Sequence, residues 1–156
     1  MIYSSPLSIP ISKNKRFILN LNNYRNLHYR VLNKAKILYK ECVEDQILAN
    51  KETYSKVLII YTVYQPTNRK FDIGNIISIH QKYFEDALVE LGRLPDDRFN
   101  FIPMCVYCYG GVDTTNPRVD IEVINCDGSF FTKVKERLDE KIEKLYTINT
   151  RNGGQL

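Results

Sequence analysis

Apolar residues at three-and-four spacing mark out the first strong element of this chain. Leu27, Val31, Leu32, Ala35, Leu38, Tyr39, Cys42, Val43, Ile47 and Leu48 form one stripe, predicting a long amphipathic helix. Lys56 to Tyr64 changes pattern: Val57-Leu58-Ile59-Ile60-Tyr61-Thr62-Val63-Tyr64 is β-branched and aromatic, as a central strand should be, and Pro66 ends it. Helical periodicity then returns from Asp72, a predicted N-cap, to about Leu91, with Gly92 as its stop. Ile73, Ile76, Ile77, Phe84, Ala87, Leu88 and Leu91 line the apolar side, and His80 falls within it as an expected core residue. Asn75, Lys82 and Asp86 share a narrow arc on the opposite side.

Weaker patterns complete the chain. Arg16 to Leu21 predicts a first strand, and Asn22 to Asn26 a loop. Phe101 to Tyr109 and Arg118 to Ile124 predict two more strands, separated by Gly110-Gly111 and Asn116-Pro117. Phe130 to Tyr146 predicts a last helix through Phe130, Phe131, Val134, Leu138, Ile142 and Leu145. The expected order is β-α-β-α-β-β-α: one α/β (α+β) domain, with helices packed on a mixed sheet of about four strands. Residues 1–15, with Pro6, Pro10 and several serines, are expected to be a loose arm. Residues 16–147 form the domain, with 130–146 as its extra helix, and 148–156 a disordered tail.

Composition supports a globular reading: 156 residues, 44% hydrophobic and 26% charged. No apolar run approaches the roughly 20 residues needed to span a bilayer, and Met1 to Pro10 lacks the charged and apolar regions of a secretory signal, so a cytoplasmic location is expected. Cys105 and Cys108 are spaced C-x-x-C, but within a strand such residues point to opposite faces; reduced, mostly buried thiols are the expectation for these, Cys42 and Cys126.

Charge is distributed unevenly. Residues 1–40 hold eight basic side chains and no acidic one, whereas the remainder carries 14 basic against 18 acidic. Such a gradient suits a cationic surface for a polyanion, with an acidic site elsewhere.

The acidic residues with a recognisable pattern are Asp72, Asp86, Asp96 and Asp97, with Lys82 among them. Singly each has an ordinary role: Asp72 as a helix cap, Lys82 and Asp86 as an i,i+4 pair, Pro95-Asp96-Asp97 as a turn. Gathered together, they would repel unless a cation offsets their charge. A hard divalent ion uses oxygen ligands, commonly one or two carboxylates, and a lysine beside it can steady a phosphate. That equipment suits metal-assisted phosphodiester hydrolysis.

The same stretch resembles the RusA family of Holliday-junction resolvases, in the form found in phage and prophage members. The matching residues are Arg69-Lys70, Asp72-Ile73-Gly74-Asn75, Lys82, Asp86-Ala87-Leu88 and Asp96-Asp97, and Asn22-Asn23-Tyr24-Arg25 is similar to the family's asparagine-rich loop. Coverage is roughly residues 16 to 125. Two departures stand out: Gly74 replaces the family's second aspartate, and about four extra residues separate Asn75 from Lys82.

The resemblance implies a homodimeric, Mg²⁺-dependent endonuclease, with Mn²⁺ a possible substitute, that resolves four-way DNA junctions by paired nicks. It implies Asp72, Lys82 and Asp97 as catalytic residues and Asp72, Asp97, Asp86 and Asp96 as metal ligands. Asn23, Arg25, Arg30, Lys34, Arg69, Lys70 and Asn75 would hold the branched DNA. Under this reading Asp72 and Asp97 of the fold should converge on one cation. The alternative is a branched-DNA-binding protein of the same fold that does not cut.

Overall fold

A computed structural model describes residues 1–126 and 130–151. The chain forms β1 (Ile2–Pro6), β2 (Ser8–Ser12), β3 (Lys15–Ile18), α1 (Leu21–Arg25), α2 (Tyr29–Ala49), β4 (Val57–Gln65), α3 (Ile73–Glu90), β5 (Met104–Val112), β6 (Arg118–Asn125) and α4 (Phe130–Arg151). The main sheet has the order β1-β6-β4-β5, and β2 pairs with β3 in a separate hairpin. Only the β4–β5 pair is parallel; β1–β6 and β4–β6 are antiparallel. This is the single α+β domain with a four-stranded mixed sheet that the patterning predicts.

β4 is buried on both faces because helices cover both. Val57, Ile59, Tyr61 and Val63 face the larger core with α2 and α3, while Leu58 and Ile60 face Val134 and Leu138 of α4. Each fully buried large aliphatic side chain there contributes about 1.5–3 kcal/mol. Between the parallel strands the register slips by one residue at Val63/Tyr64. Gly110 fills that irregularity because a Cβ there would lie 2.5 Å from the Tyr64 ring.

The amino terminus corrects the expectation of a loose arm. Residues 2–6 become an edge strand of the main sheet, and residues 8–12 pair with the strand predicted from Arg16, which belongs to the small hairpin instead. Tyr3, Ser5, Ile9 and Ile11 are buried. Their period-two alternation outweighs Pro6 and Pro10, which sit at a strand end and in a two-stranded hairpin, where a lost donor costs little. Asn22 to Asn26, expected as a loop, largely forms the short helix α1, because the Asn20 side chain caps it by accepting from Asn23 N. α4 runs on to Arg151, so residues 148–151 of the expected tail are helical, while the expectation for 152–156 lies outside the described residues.

His80 is wholly buried, as its place in the apolar stripe predicts, and its Nδ1 bonds Ser5 Oγ at 2.8 Å. Burial holds it neutral, with a pKa lowered to about 3. The four thiols are free, but they correct the expectation of mostly buried ones: Cys42 is exposed, Cys105 and Cys108 are half-buried, and Cys126 is buried. Cys105 packs with the α2–α3 layer and Cys108 with the α4 layer, on the opposite faces expected. No helix among the described residues is long and apolar enough to cross a membrane.

Candidate nucleic-acid interface

Asp72 caps α3 as its sequence position predicts, its Oδ1 accepting from Asn75 N at 3.3 Å. It is solvent-exposed, as are Arg69 and Lys70 before it. Asn75 reaches in the other direction: its Oδ1 accepts from Asn22 N at 3.2 Å, which ties α1 to the first turn of α3. The asparagine-rich segment therefore lies against the Asp72 end of the helix. Asn23 is structural here, its backbone N–H engaging the Asn20 cap and its amide donating to Ile18 O at 3.3 Å.

Cationic side chains flank this junction. Lys13, Lys15, Arg16, Arg25, Arg30 and Lys34 are all exposed. A depression of about 220 Å³ between hairpin and helix is lined by Lys15, Arg16, Ile18, Asn23 and Asn26. Lys82 is exposed on α3, on the same arc as Asn75. Two other lysines are withdrawn: Lys36 bonds Asp86 and Glu90, each at 2.9 Å, and Lys40 bonds Glu90 at 2.9 Å. Those pairs clamp α2 onto α3. They give Asp86, one of the expected metal ligands, a lysine partner within the fold.

Asp96 and Asp97 lie at the other end of α3. After the Leu91 cap, Gly92 takes a φ of 68°, and Arg93 N and Leu94 N bond back to Leu88 O at 2.8 and 3.3 Å. Arg93 O then accepts from Tyr54 N and Phe101 O from Val57 N, each at 2.8 Å, which holds residues 93–101 at the start of β4. Asp96 is bound to Arg98, its Oδ2 2.9 Å from the guanidinium. Asp97 lies on the segment between them, and Glu85 on α3 sits 8% exposed under β5. Glu85 accepts from Tyr61 Oη and Cys105 Sγ, each at 3.3 Å, while Gln81 bridges Cys105 and Tyr107. Burial, with a smaller contribution from the Asp97 charge, pushes the Glu85 carboxyl up to about 7 against those hydrogen bonds.

The expected convergence of Asp72 and Asp97 within one chain is therefore not what the fold builds. Asp72 caps one end of α3 and Asp97 follows the other, and the 18 residues between span about 27 Å at 1.5 Å each. Carboxylates sharing one Mg²⁺ at about 2.1 Å must approach far more closely. Among the described residues, no group of three or more His, Cys, Asp and Glu side chains could hold a metal ion. The helix is the reason: a crossover between parallel strands must run the length of the sheet, so its two ends cannot meet.

Sequence reasoning passed over Glu85, whose signal was visible. It is an acidic residue on the apolar flank of an amphipathic helix, where charge demands partners. A scan of family models and a search of curated proteins both find no match to this chain.

Proposed function

We propose that this protein is a Mg²⁺-dependent, structure-selective DNA endonuclease of the RusA kind, working as a two-fold homodimer on branched DNA. The observation that carries it is the Asn22–Asn75 contact, which sets a carboxylate at a helix N-terminus into an exposed cationic face. Exposed arginines and lysines bind phosphates without regard to sequence, and backbone N–H groups at a helix start add to that attraction.

The separation of Asp72 from Asp97 bears on how such a dimer would be built. β5 is a sheet edge nine residues long, with no charged residue and no proline. The opposite edge, β1, is covered: Gln46 bonds Ser4 N and Ser4 O, each at 2.8 Å. Among the described residues nothing hydrogen-bonds to the outer edge of β5. Such an edge is a template for another strand, and antiparallel pairing with its own copy is self-complementary.

That pairing sets the start of one β5 against the end of the other. Asp97 lies on the segment held at the start of β4, the end at which the parallel β5 also starts, whereas Phe71, next to Asp72, contacts Tyr109 near the end of β5, with ring centroids 5.7 Å apart. Asp72 would then face the partner's Asp97, and Arg69 and Lys70 would face the partner's acidic turn. The donor set suits the ion, since Mg²⁺ takes one or two carboxylates and fills its other positions with water and substrate phosphate.

Asp72 and the partner's Asp97 would hold the cation, which when bound supplies an activated water and offsets charge at phosphorus. Lys82 reaches toward a phosphate from the middle of α3. Arg25, Arg30 and Lys34 grip the DNA arms, and two sites related by the two-fold axis suit paired nicks.

The test is cleavage of a synthetic four-way junction with Mg²⁺. The native protein nicks opposite strands; Asp72→Asn and Asp97→Asn bind but do not cut. A second reading, a branched-DNA binder without nuclease activity, is favoured by Gly74 and by the split carboxylates. It predicts salt-sensitive binding with no Mg²⁺-dependent product.

A further inference from the structure

We infer that Phe99 is a base-stacking residue that engages unpaired bases at a DNA branch point, an inference that rests on the DNA-processing reading above. Its side chain is 82% exposed, more than any other large hydrophobic among the described residues. The backbone beneath it is well anchored. Arg98 N donates to Asp96 Oδ1 at 3.1 Å, and Phe101 N and Ile102 N donate to Arg98 O at 2.8 and 2.9 Å. Phe101 O in turn accepts from Val57 N at 2.8 Å, which fastens the turn to the first residue of β4. An aromatic ring is thus presented to solvent on a fixed turn.

The surroundings indicate what would cover the ring. Arg98 next to it is largely exposed, Asn100 follows, and Lys56 is exposed beside the Val57 anchor. Arg98 pairs with Asp96 and Asp97 precedes it, so the charges around the ring are mixed; a lone ring among charged and amide groups suits a polar ligand with aromatic faces better than an apolar protein surface. Asp97 is two residues away, so a base stacked on Phe99 would lie close to the proposed cutting centre. Bases inside a duplex have both faces covered, whereas a branch point exposes some. Stacking there would select structure without reading sequence, because every base has a π-face.

The chain contains no tryptophan, so Phe99→Trp would carry the sole one as a fluorescence reporter. A four-way junction should quench its emission on binding, and a linear duplex of equal length should not. Phe99→Ala should weaken junction binding by between about fivefold and a hundredfold, with duplex binding unchanged. Sedimentation should show Phe99→Ala in the same oligomeric state as the native chain. Equal quenching by both DNAs, unchanged junction affinity in Phe99→Ala, or dissociation of that variant would each overturn the inference and leave the DNA-processing reading standing. Failure of the native chain to bind either DNA would remove both.

Discussion

Lys36 Nζ lies 2.9 Å from Asp86 Oδ2 and 2.9 Å from Glu90 Oε1, a fork that joins α2 to α3. Lys34, two residues earlier on α2, is exposed. The two lysines should therefore behave differently. Lys34→Ala should weaken DNA binding and lower the slope of log affinity against log salt by about one. Lys36→Ala should leave that slope unchanged and cost about 1 kcal/mol or less of stability, since partly exposed ion pairs contribute little. Equal salt slopes for the two variants would show that the cationic face has been drawn wrongly.

Asp72 and Asp97, placed at opposite ends of α3, allow a subunit-mixing experiment. In a dimer with shared sites, Asp72→Asn and Asp97→Asn chains are each inactive alone. A mixed dimer regains one intact site, built from the unmodified residue of each chain. Random reassortment of equal amounts makes half the dimers mixed, so about a quarter of native sites should return. Single-strand nicking of a four-way junction measures this. If each site were built within one chain, mixing would restore nothing.

Gly74 leaves room for a second carboxylate. A Cβ built there lies 3.3 Å from Asp72 Oδ1, close enough to require a slight shift of that flexible carboxylate. Gly74→Asp should raise Mg²⁺ affinity by about tenfold and increase cleavage at low Mg²⁺, since added ligand charge strengthens a hard-cation site. The acid also sits in the first helical turn, where negative charge is tolerated. Isothermal titration with Mg²⁺ in the presence of junction DNA decides the point; unchanged affinity would remove Asp72 from the metal centre.

His80 and Glu85 should give stability two opposing pH dependences. His80 has its pKa lowered to about 3 from 6.5. Below pH 6.5 the unfolded chain gains a proton that the folded one refuses, so stability falls on acidification, by about 2 kcal/mol at pH 5. Glu85 has its carboxyl raised to about 7 from 4.5. The folded chain holds that proton longer, so stability falls as pH rises from 4.5 through 7, by about 3 kcal/mol in all. Between pH 4.5 and 6.5 the two slopes oppose each other. Glu85→Gln should be more stable than the native chain at pH 8, gain little at pH 4.5, and show the His80 slope alone. Denaturant melts across that range are the measurement, and an equal gain at both pH values would rule out titration of Glu85.

Much of the fold was legible along the chain because its signals are local. The α2 stripe, the β-branched run of β4 and the cap at Asp72 each depend on neighbours a few residues away. The burial of His80 followed from its place on a stripe. Residues 2–12 were harder to read because a strand forms only if a distant partner accepts it. Ser4 lies opposite Asp120, an alignment that local periodicity cannot encode.

What the sequence by itself determined, then, was the three long helices, the central strands and the inventory of carboxylates and cations available for chemistry. Tertiary structure alone decided their pairing: Lys36 with Asp86, Asn22 with Asn75, Arg98 with Asp96, and Asp72 and Asp97 at opposite ends of α3. The physical reason is that an α3 of 18 residues is a rigid spacer about 27 Å long. Residues that crowd together in a motif are carried to its two ends once the crossover between parallel strands is made.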